Sequence, residues 1–280
     1  MLLRPVTAAD KPLLLAVEAQ STPNLRYLPA VYEQFLADAP QGEFMLTEEA
    51  GQVLGCAKYT RLPDGSAWLE TLRVVPEAQG RGLGKRMYRR FFELAREQGV
   101  RTMRMYTGAG NVVSRGLAEH FGFRLEETFM GFTRPVTADY TGTGDASTPF
   151  RAVTDAAGAA ALLLPLRASW GEFLVMNRTF LPFSEAVCAD LARREMVYAS
   201  GDDVVVLGAR FSPEEAQHVL LFSGDASRCL AFADALARQQ GAAQLVCLCC
   251  AANVDAQLAL GQAGFTPDGA PYIVMRVEVT

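Results

Sequence analysis

The segment Gln79-Gly80-Arg81-Gly82-Leu83-Gly84 places three glycines within five residues, and Lys85 and Arg86 follow at once. Glycines let a backbone approach a ligand with no Cβ in the way. A helix beginning near Leu83 would add unpaired N–H groups and the positive end of its dipole. Together these make an anion cradle suited to phosphate. Arg81, Lys85, Arg86, Arg89 and Arg90 bring five positive charges, and residues 78–92 contain no acid. Two common nucleotide loops are excluded by spacing: a G-x-G-x-x-G fingerprint needs glycine where Lys85 stands, and a P-loop is broken at Gln79 and Arg86.

Such a cradle needs a strand before it and a helix after it. Residues 68–75 read as the strand, following the turn signal Pro63-Asp64-Gly65. Leu83, Met87, Phe91, Leu94 and Ala95 keep the helical period, and Gly99 ends that helix. Upstream, residues 2–6 read as a strand, Asp10 as the cap of an amphipathic helix with Pro12 in its first turn, and residues 44–46 and 53–61 as strands. Downstream, 102–106 reads as a strand, 112–120 as a helix closed by Gly122, and 123–129 and 130–136 as two strands finishing the unit. The fold class is α/β (α+β), pairing local hairpins with at least one crossover.

The unit is written twice. At a shift of 142 residues Asn111-Val112 falls on Asn253-Val254, Gly122-Phe123 on Gly264-Phe265 and Gln98-Gly99 on Gln240-Gly241, while Arg4-Pro5-Val6-Thr7 resembles Arg151-Ala152-Val153-Thr154. Residues 137–149 are small, polar and rich in turn formers, as a linker should be. The expected domains are 1–140 and 149–280, consistent with a length of 280 residues. At the same ungapped shift Gln79 falls on Leu221, Gly82 on Gly224, Leu83 on Asp225 and Gly84 on Ala226. The second copy has therefore lost the polar first position, and Asp225 sets a negative charge where a phosphate would sit.

The first loop resembles the GNAT superfamily of N-acetyltransferases, whose motif [QR]-x-x-G-x-[GA] is filled by Gln79, Gly82 and Gly84. Leu72-Arg73-Val74-Val75-Pro76-Glu77 is similar to the family's lead-in strand, and Asn111 followed by Gly122-Phe123 has the spacing of its N-x10-G-F segment. The resemblance implies two tandem GNAT-like domains, each a mixed, mostly antiparallel sheet flanked by helices, the second degenerate. It implies acetyl-CoA as co-substrate, with the backbone of Leu72, Arg73 and Val74 along the pantetheine arm. The N–H groups of Gln79, Gly80, Arg81, Gly82, Leu83 and Gly84, with Lys85, would hold the pyrophosphate, and Asn111 would reach it from the opposite side. The implied reaction is direct attack of a primary amine on the thioester, in the N-terminal domain. That chemistry needs a base, an oxyanion donor and a proton for the thiolate. Glu70, on the lead-in strand, is the candidate base through a water, and Tyr106 is the candidate lining the cleft. The family's usual acidic tyrosine is replaced by Ala118. That substitution and the degenerate second copy keep open a noncatalytic acyl-CoA-binding or interaction protein.

Composition bounds the rest. Half the residues are hydrophobic and 20% are charged, which excludes disordered, coiled-coil and collagen-like chains. The net charge of -5 is uneven: residues 1–148 hold 17 basic and 17 acidic residues and the remainder 9 and 14, so an anion site belongs to the first half. The basic residues concentrate in one loop and helix, and nucleic acid is not an expected partner. No run reaches the ~18 apolar residues of a membrane helix, and residues 1–10 lack the pattern of a secretory leader. Six cysteines, three of them at 247, 249 and 250, with His120 and His218 the only histidines, fit free thiols in a reduced cytoplasm and no metal site. The acceptor that the resemblance implies is an amine, small molecule or peptide, and its pocket would be shaped by residues 21–42 and 169–184, where Tyr27, Tyr32, Phe35, Trp170 and Phe173 read as helix core. The expected state is monomer or homodimer.

Overall fold

The computed structural model describes residues 1–22, 25–137 and 149–280, so most of the expected linker lies outside the described residues. The chain divides into two compact units. The first comprises Met1–Thr107, Asn111–Glu126 and Val274–Thr280, and the second Gly108–Gly110 and Glu127–Ile273.

The first unit runs β1 (Leu2–Pro5), α1 (Lys11–Ser21), α2 (Leu28–Ala37), β2 (Glu43–Glu49), β3 (Gln52–Arg61), β4 (Ala67–Val74), α3 (Leu83–Glu97), β5 (Thr102–Gly108) and α4 (Val112–His120). Strands β1 to β5 are neighbours in that order. All pairs are antiparallel except β4–β5, which the crossover helix α3 makes parallel. On α3, Leu83, Met87, Tyr88, Phe91, Leu94 and Ala95 are buried, the stripe that the helical period predicts. Asp10 stands at the N-cap of α1 without capping it: its carboxylate takes both guanidinium donors of Arg4 at 2.8 Å and the Thr7 N–H at 2.8 Å.

The second unit repeats the series. After β6 (Arg124–Pro135) come β7 (Arg151–Ala152), α5 (Ala156–Leu163), α6 (Arg167–Trp170), a hairpin of β8 (Phe173–Met176) and β9 (Thr179–Pro182), α7 (Glu185–Arg193), β10 (Val197–Ser200), β11 (Asp203–Gly208), β12 (Ala216–Ser223), α8 (Ala226–Gln239), β13 (Gln244–Cys250), α9 (Val254–Gln262), β14 (Thr266–Pro267) and β15 (Tyr272–Glu278). Its strand order is β6-β13-β12-β11-β10-β7, with β14 on β6. Here β12–β13 is the parallel pair.

Two expectations are corrected. In place of two strands over 123–129 and 130–136 there is the single strand β6 (Arg124–Pro135), which from Phe129 to Pro135 pairs with β13 in the second unit, while Val274–Thr280 completes the first unit and β15 lies beside β5. Strand propensity is local but the choice of partner is not, so a linear repeat could not reveal this exchange. Phe173 lies in the hairpin strand β8 rather than in a helix, whereas Tyr32 and Phe35 are buried on α2 as read. No helix among the described residues is long and apolar enough to cross a membrane.

Candidate functional site

The loop after β4 is shaped at three levels. Pro76–Ala78 makes a 3-10 turn, and the Gln79 side-chain amide then donates to the Val74 carbonyl at 3.2 Å, tying the loop back to the strand end. Gly80 and Gly82 have φ of 75° and 82°, which explains glycine at both, since the space around each is open. Gly84 answers to packing instead: a Cβ there would come 2.9 Å from Leu117 Cδ2 on α4. Gly82 is the N-cap of α3 and offers no side chain to its amides. The first backbone bond is Arg86 N–H to the Gly82 carbonyl at 3.1 Å. The N–H groups of Gly80, Arg81, Gly82, Leu83, Gly84 and Lys85 have no acceptor among the described residues. The Leu83 side chain is buried and anchors this turn, leaving only its N–H for a ligand.

Not every basic residue serves the cradle. Arg81 pairs with Glu49, whose carboxyl it holds below the usual range. Arg90 pairs with Glu43 at 2.7 Å and Glu97 at 3.1 Å on the flank of α3, so it is an anchor of the helix. Lys85 is exposed beside the free amides.

Beside the loop, β4 has an open edge. It pairs with β5 only through Ala67↔Met103, Trp68↔Arg104 and Leu69↔Met105. Among the described residues no strand pairs with Glu70, Leu72, Arg73 or Val74 on that side. On its other side β3 continues, with a bulge: Cys56 faces Arg73 and Lys58 faces Glu70, leaving Ala57 against two residues, Thr71 and Leu72. Thr71 has φ of 61°, a strained value for a β-branched residue.

Glu70 is buried and accepts the Thr60 hydroxyl at 2.5 Å. The Tyr27 hydroxyl stands 2.7 Å from Thr71 Oγ1, and the Arg73 guanidinium lies 5.6 Å from the Tyr27 ring centre. The buried Glu18 carboxylate holds the Tyr27 and Leu28 N–H groups at 3.1 and 3.2 Å, fixing the start of α2. Burial pushes the Tyr27 phenol well above its ordinary value; Arg73 opposes this, while Tyr106 and Glu70 add to it. Tyr106 is half-buried and stacks on Trp68, ring centres 6.0 Å apart. Glu70 and Tyr106 thus both lie near enough to Tyr27 for their charges to act on it, and Tyr27 joins them as a candidate. Its link to Thr71 spans 44 residues and leaves no sequence signal.

Asn111 has a structural task. Its side-chain oxygen caps α4 by accepting the Ser114 N–H at 3.1 Å, and Asn253 caps α9 on Ala256 N–H at 3.0 Å with nearly the same backbone angles. Gly122 and Gly264, φ 84° and 81°, follow the two helices, and Phe123 and Phe265 are buried after them. Ala118 is fully buried on α4.

The second loop differs by length as well as sequence. Eight residues separate β4 from α3, but only Gly224 and Asp225 separate β12 from α8. Leu221 therefore lies within β12, and Asp225, not Gly224, holds the N-cap place of Gly82; the ungapped alignment is corrected accordingly. Asp225 accepts the Ser227 and Arg228 N–H groups at 2.9 and 3.1 Å. Asp203 accepts the Asp225 N–H at 2.7 Å and pairs with Arg228 at 2.5 Å. All six cysteines are free and buried, and burial pushes the Cys247 thiol well above its usual value. No group of three or more potential metal-ligating side chains occurs among the described residues.

Residues 13–123 match the family model described as the acetyltransferase (GNAT) family. Over 81 residues the chain is 31% identical to a mycothiol acetyltransferase of Beutenbergia cavernae, a match covering 29% of this chain and 27% of that relative, so it spans about a quarter of the relative's length. A GCN5-related N-acetyltransferase structure from Sphaerobacter thermophilus is similar at TM-score 0.65 and 13% identity, over 99% of this chain and 95% of that one. A tandem GNAT protein from the clavulanic acid biosynthesis pathway is similar at TM-score 0.63 and 15% identity, over 100% of this chain and 98% of that one. At these identities the likeness to the solved structures is one of fold.

Proposed function

We propose that this chain, which belongs to the GNAT superfamily through residues 13–123, is an acetyl-CoA-dependent N-acetyltransferase with its active site in the N-terminal domain, about residues 1–140. The observation that carries the reading is the run of acceptorless N–H groups from Gly80 to Lys85 beside the open edge of β4. Unpaired amides at a helix start suit a pyrophosphate, and an open strand edge suits an extended amide-bearing arm. Leu72, Arg73 and Val74 would pair with that arm, and Gln79 would keep the loop in place.

Acetyl-CoA supplies the thioester when bound. The neutral amine attacks its carbonyl carbon, the C–N bond forms and the C–S bond breaks. Glu70 takes the amine proton through a water, and a free N–H on the open edge of β4 stabilises the developing oxyanion. The departing thiolate, with a pKa near ~8.5, takes its proton from Tyr106 or from water, since Ala118 brings none. The acceptor is a small amine or a peptide amine. The second domain, about residues 149–280, would shape the fold without binding acetyl-CoA. Six buried free thiols fit a reduced cytoplasm, and the protein would act as monomer or homodimer.

The buried Ala118 favours a second reading, a noncatalytic acyl-CoA-binding or interaction protein. Thiol release across a panel of amines and peptides separates the two: acetyl-CoA binding without turnover above hydrolysis selects the second. Glu70→Gln should lower kcat by about a hundredfold or more and remove the acidic limb of its pH profile. An unchanged rate and profile would remove Glu70 from the mechanism.

A further inference from the structure

Strand β4 carries two charged residues, Glu70 and Arg73. At that spacing on a regular strand they would point to opposite faces of the sheet. The bulge changes this. Lys58 faces Glu70 and Cys56 faces Arg73, and Cys56 and Lys58 are next-but-one neighbours on β3, so all four side chains share one face. On that face Lys58 meets the Phe35 ring of α2, and the Arg73 guanidinium lies over the Tyr27 ring. Helix α3 packs on the other face, where Tyr59 stacks on Phe91. The Arg73 side chain therefore leaves the sheet on the side away from the helix whose first turn carries the acceptorless amides.

The fold gives this guanidinium little to hold. Of its nitrogens only Nη1 has a hydrogen bond, to the Leu72 carbonyl at 3.3 Å, and Nε is buried without one. No carboxylate among the described residues forms an ion pair with it. Two carboxylates on this face are directed elsewhere. Glu18, whose charge opposes that of Arg73 at the buried Cys56 thiol, holds the Tyr27 and Leu28 N–H groups, and Glu70 accepts the Thr60 hydroxyl. A half-buried guanidinium with an orphaned nitrogen is costly for the fold alone, and it is prepared for a planar anion.

We propose that Arg73 binds a carboxylate of the acceptor, so that the acceptor is an amino acid whose free carboxylate lies a few bonds from its amine. The proposal rests on the acetyl-transfer reading of the first unit. Glu70 and Arg73 start two strand rises apart, ~7 Å at the backbone, and long side chains at that separation can address the amine and the carboxylate of one small zwitterion. A fork of parallel donors matches a carboxylate and not a carboxamide. A peptide N-terminus, whose neighbouring carboxyl group is an amide, would gain nothing from it. The coenzyme phosphates would lie at the start of α3, toward the other face.

The test compares the standard α-amino acids with their carboxamides, first as ligands and then as acceptors. Binding in the presence of coenzyme A, read by saturation-transfer NMR, needs no turnover; thiol release from acetyl-CoA gives kcat/KM. At least one amino acid should bind and react about tenfold to a hundredfold better than its carboxamide. Arg73→Gln should bring that ratio close to one, and Arg73→Lys, which keeps the charge and loses the fork, should retain part of it. Ratios near one throughout in the native protein would overturn the proposal, and this comparison stands even if Arg73→Gln does not fold. A ratio unchanged in Arg73→Gln would also overturn it, and weakened acetyl-CoA binding in the same variant would assign the guanidinium to the coenzyme phosphates. Turnover of amines with no preference for a carboxylate would remove the Arg73 site and leave acetyl transfer standing. Amino acid binding that depends on Arg73, with no thiol release, would keep the carboxylate site and remove acetyl transfer.

Discussion

Helix α3 begins eight residues past its strand at Gly82, with no side chain over its first amides; α8 begins two residues past its strand at Asp225, with those amides already bonded to the Asp225 carboxylate. Much of the surrounding structure is the same. Each preceding strand makes three parallel pairs and then departs, and each carries a bulge before the loop, at Thr71–Leu72 in β4 and at Leu220 in β12. The departing strands are therefore a property of the fold, and the loop is where the units differ. A capping carboxylate stabilises a helix by about 1 kcal/mol, and α3 forgoes it. The second unit has filled with Asp225 and Asp203 the position that the first leaves without an acceptor.

The largest expected effect breaks this contrast directly. In Gly82→Val the side chain would enter the open space over the first turn of α3, and the backbone would have to hold φ 82° with a β-branched residue. Losing several hydrogen bonds to a charged group should weaken acetyl-CoA binding about a thousandfold, read by calorimetry on the folded protein. Gly224→Val, where a Cβ would run into Asp203, should lower the melting temperature and leave that affinity unchanged. Retained affinity in Gly82→Val would remove the cradle from the site.

Much of this contrast could be read from residues alone, because what a left-handed glycine or an amphipathic helix requires is local. Gly80 and Gly82 advertise positive φ, and the α3 period advertises its buried face. What stayed hidden is non-local. The exchange of β6 and β15 depends on which strand edge each finds. Tyr27 reaches Thr71 across 44 residues, and Arg90 is committed to Glu43 across 47. The shortened second loop was masked because Gly224 and Ala226 imitate the motif when no gap is allowed.

A second contrast lies one step earlier in the strands. At the third parallel pair β4 has Leu69 and β12 has His218, both buried. Burial, helped by the Arg178 charge, lowers the His218 pKa to about 4 from its ordinary 6.5. Between these values the unfolded chain binds a proton that the native state refuses, so stability is full above pH 6.5 and falls as pH drops toward 4. From pH 7 to pH 5 the loss attributable to this residue should be about 2 kcal/mol. Urea unfolding of the native protein and His218→Gln at both pH values measures it. Equal pH slopes in the two proteins would mean that His218 is not held neutral.

The smallest effect tests the motif that both units share. Asn111 and Asn253 cap their helices with the same geometry, so replacing either by alanine should cost about 1 kcal/mol of stability, by loss of one N-cap bond. Equal costs follow from the shared scaffold and carry no information about a ligand. Affinity does carry it: if the Asn111 side chain also touches acetyl-CoA, Asn111→Ala should weaken binding about tenfold while Asn253→Ala leaves it unchanged, as expected for one lost hydrogen bond to a charged or strongly polar group. If both variants lose the same stability and neither loses affinity, Asn111 is a helix cap and nothing more. The N-x10-G-F spacing would then identify the fold in both units, and the residues 79–85 loop alone would distinguish the one that binds.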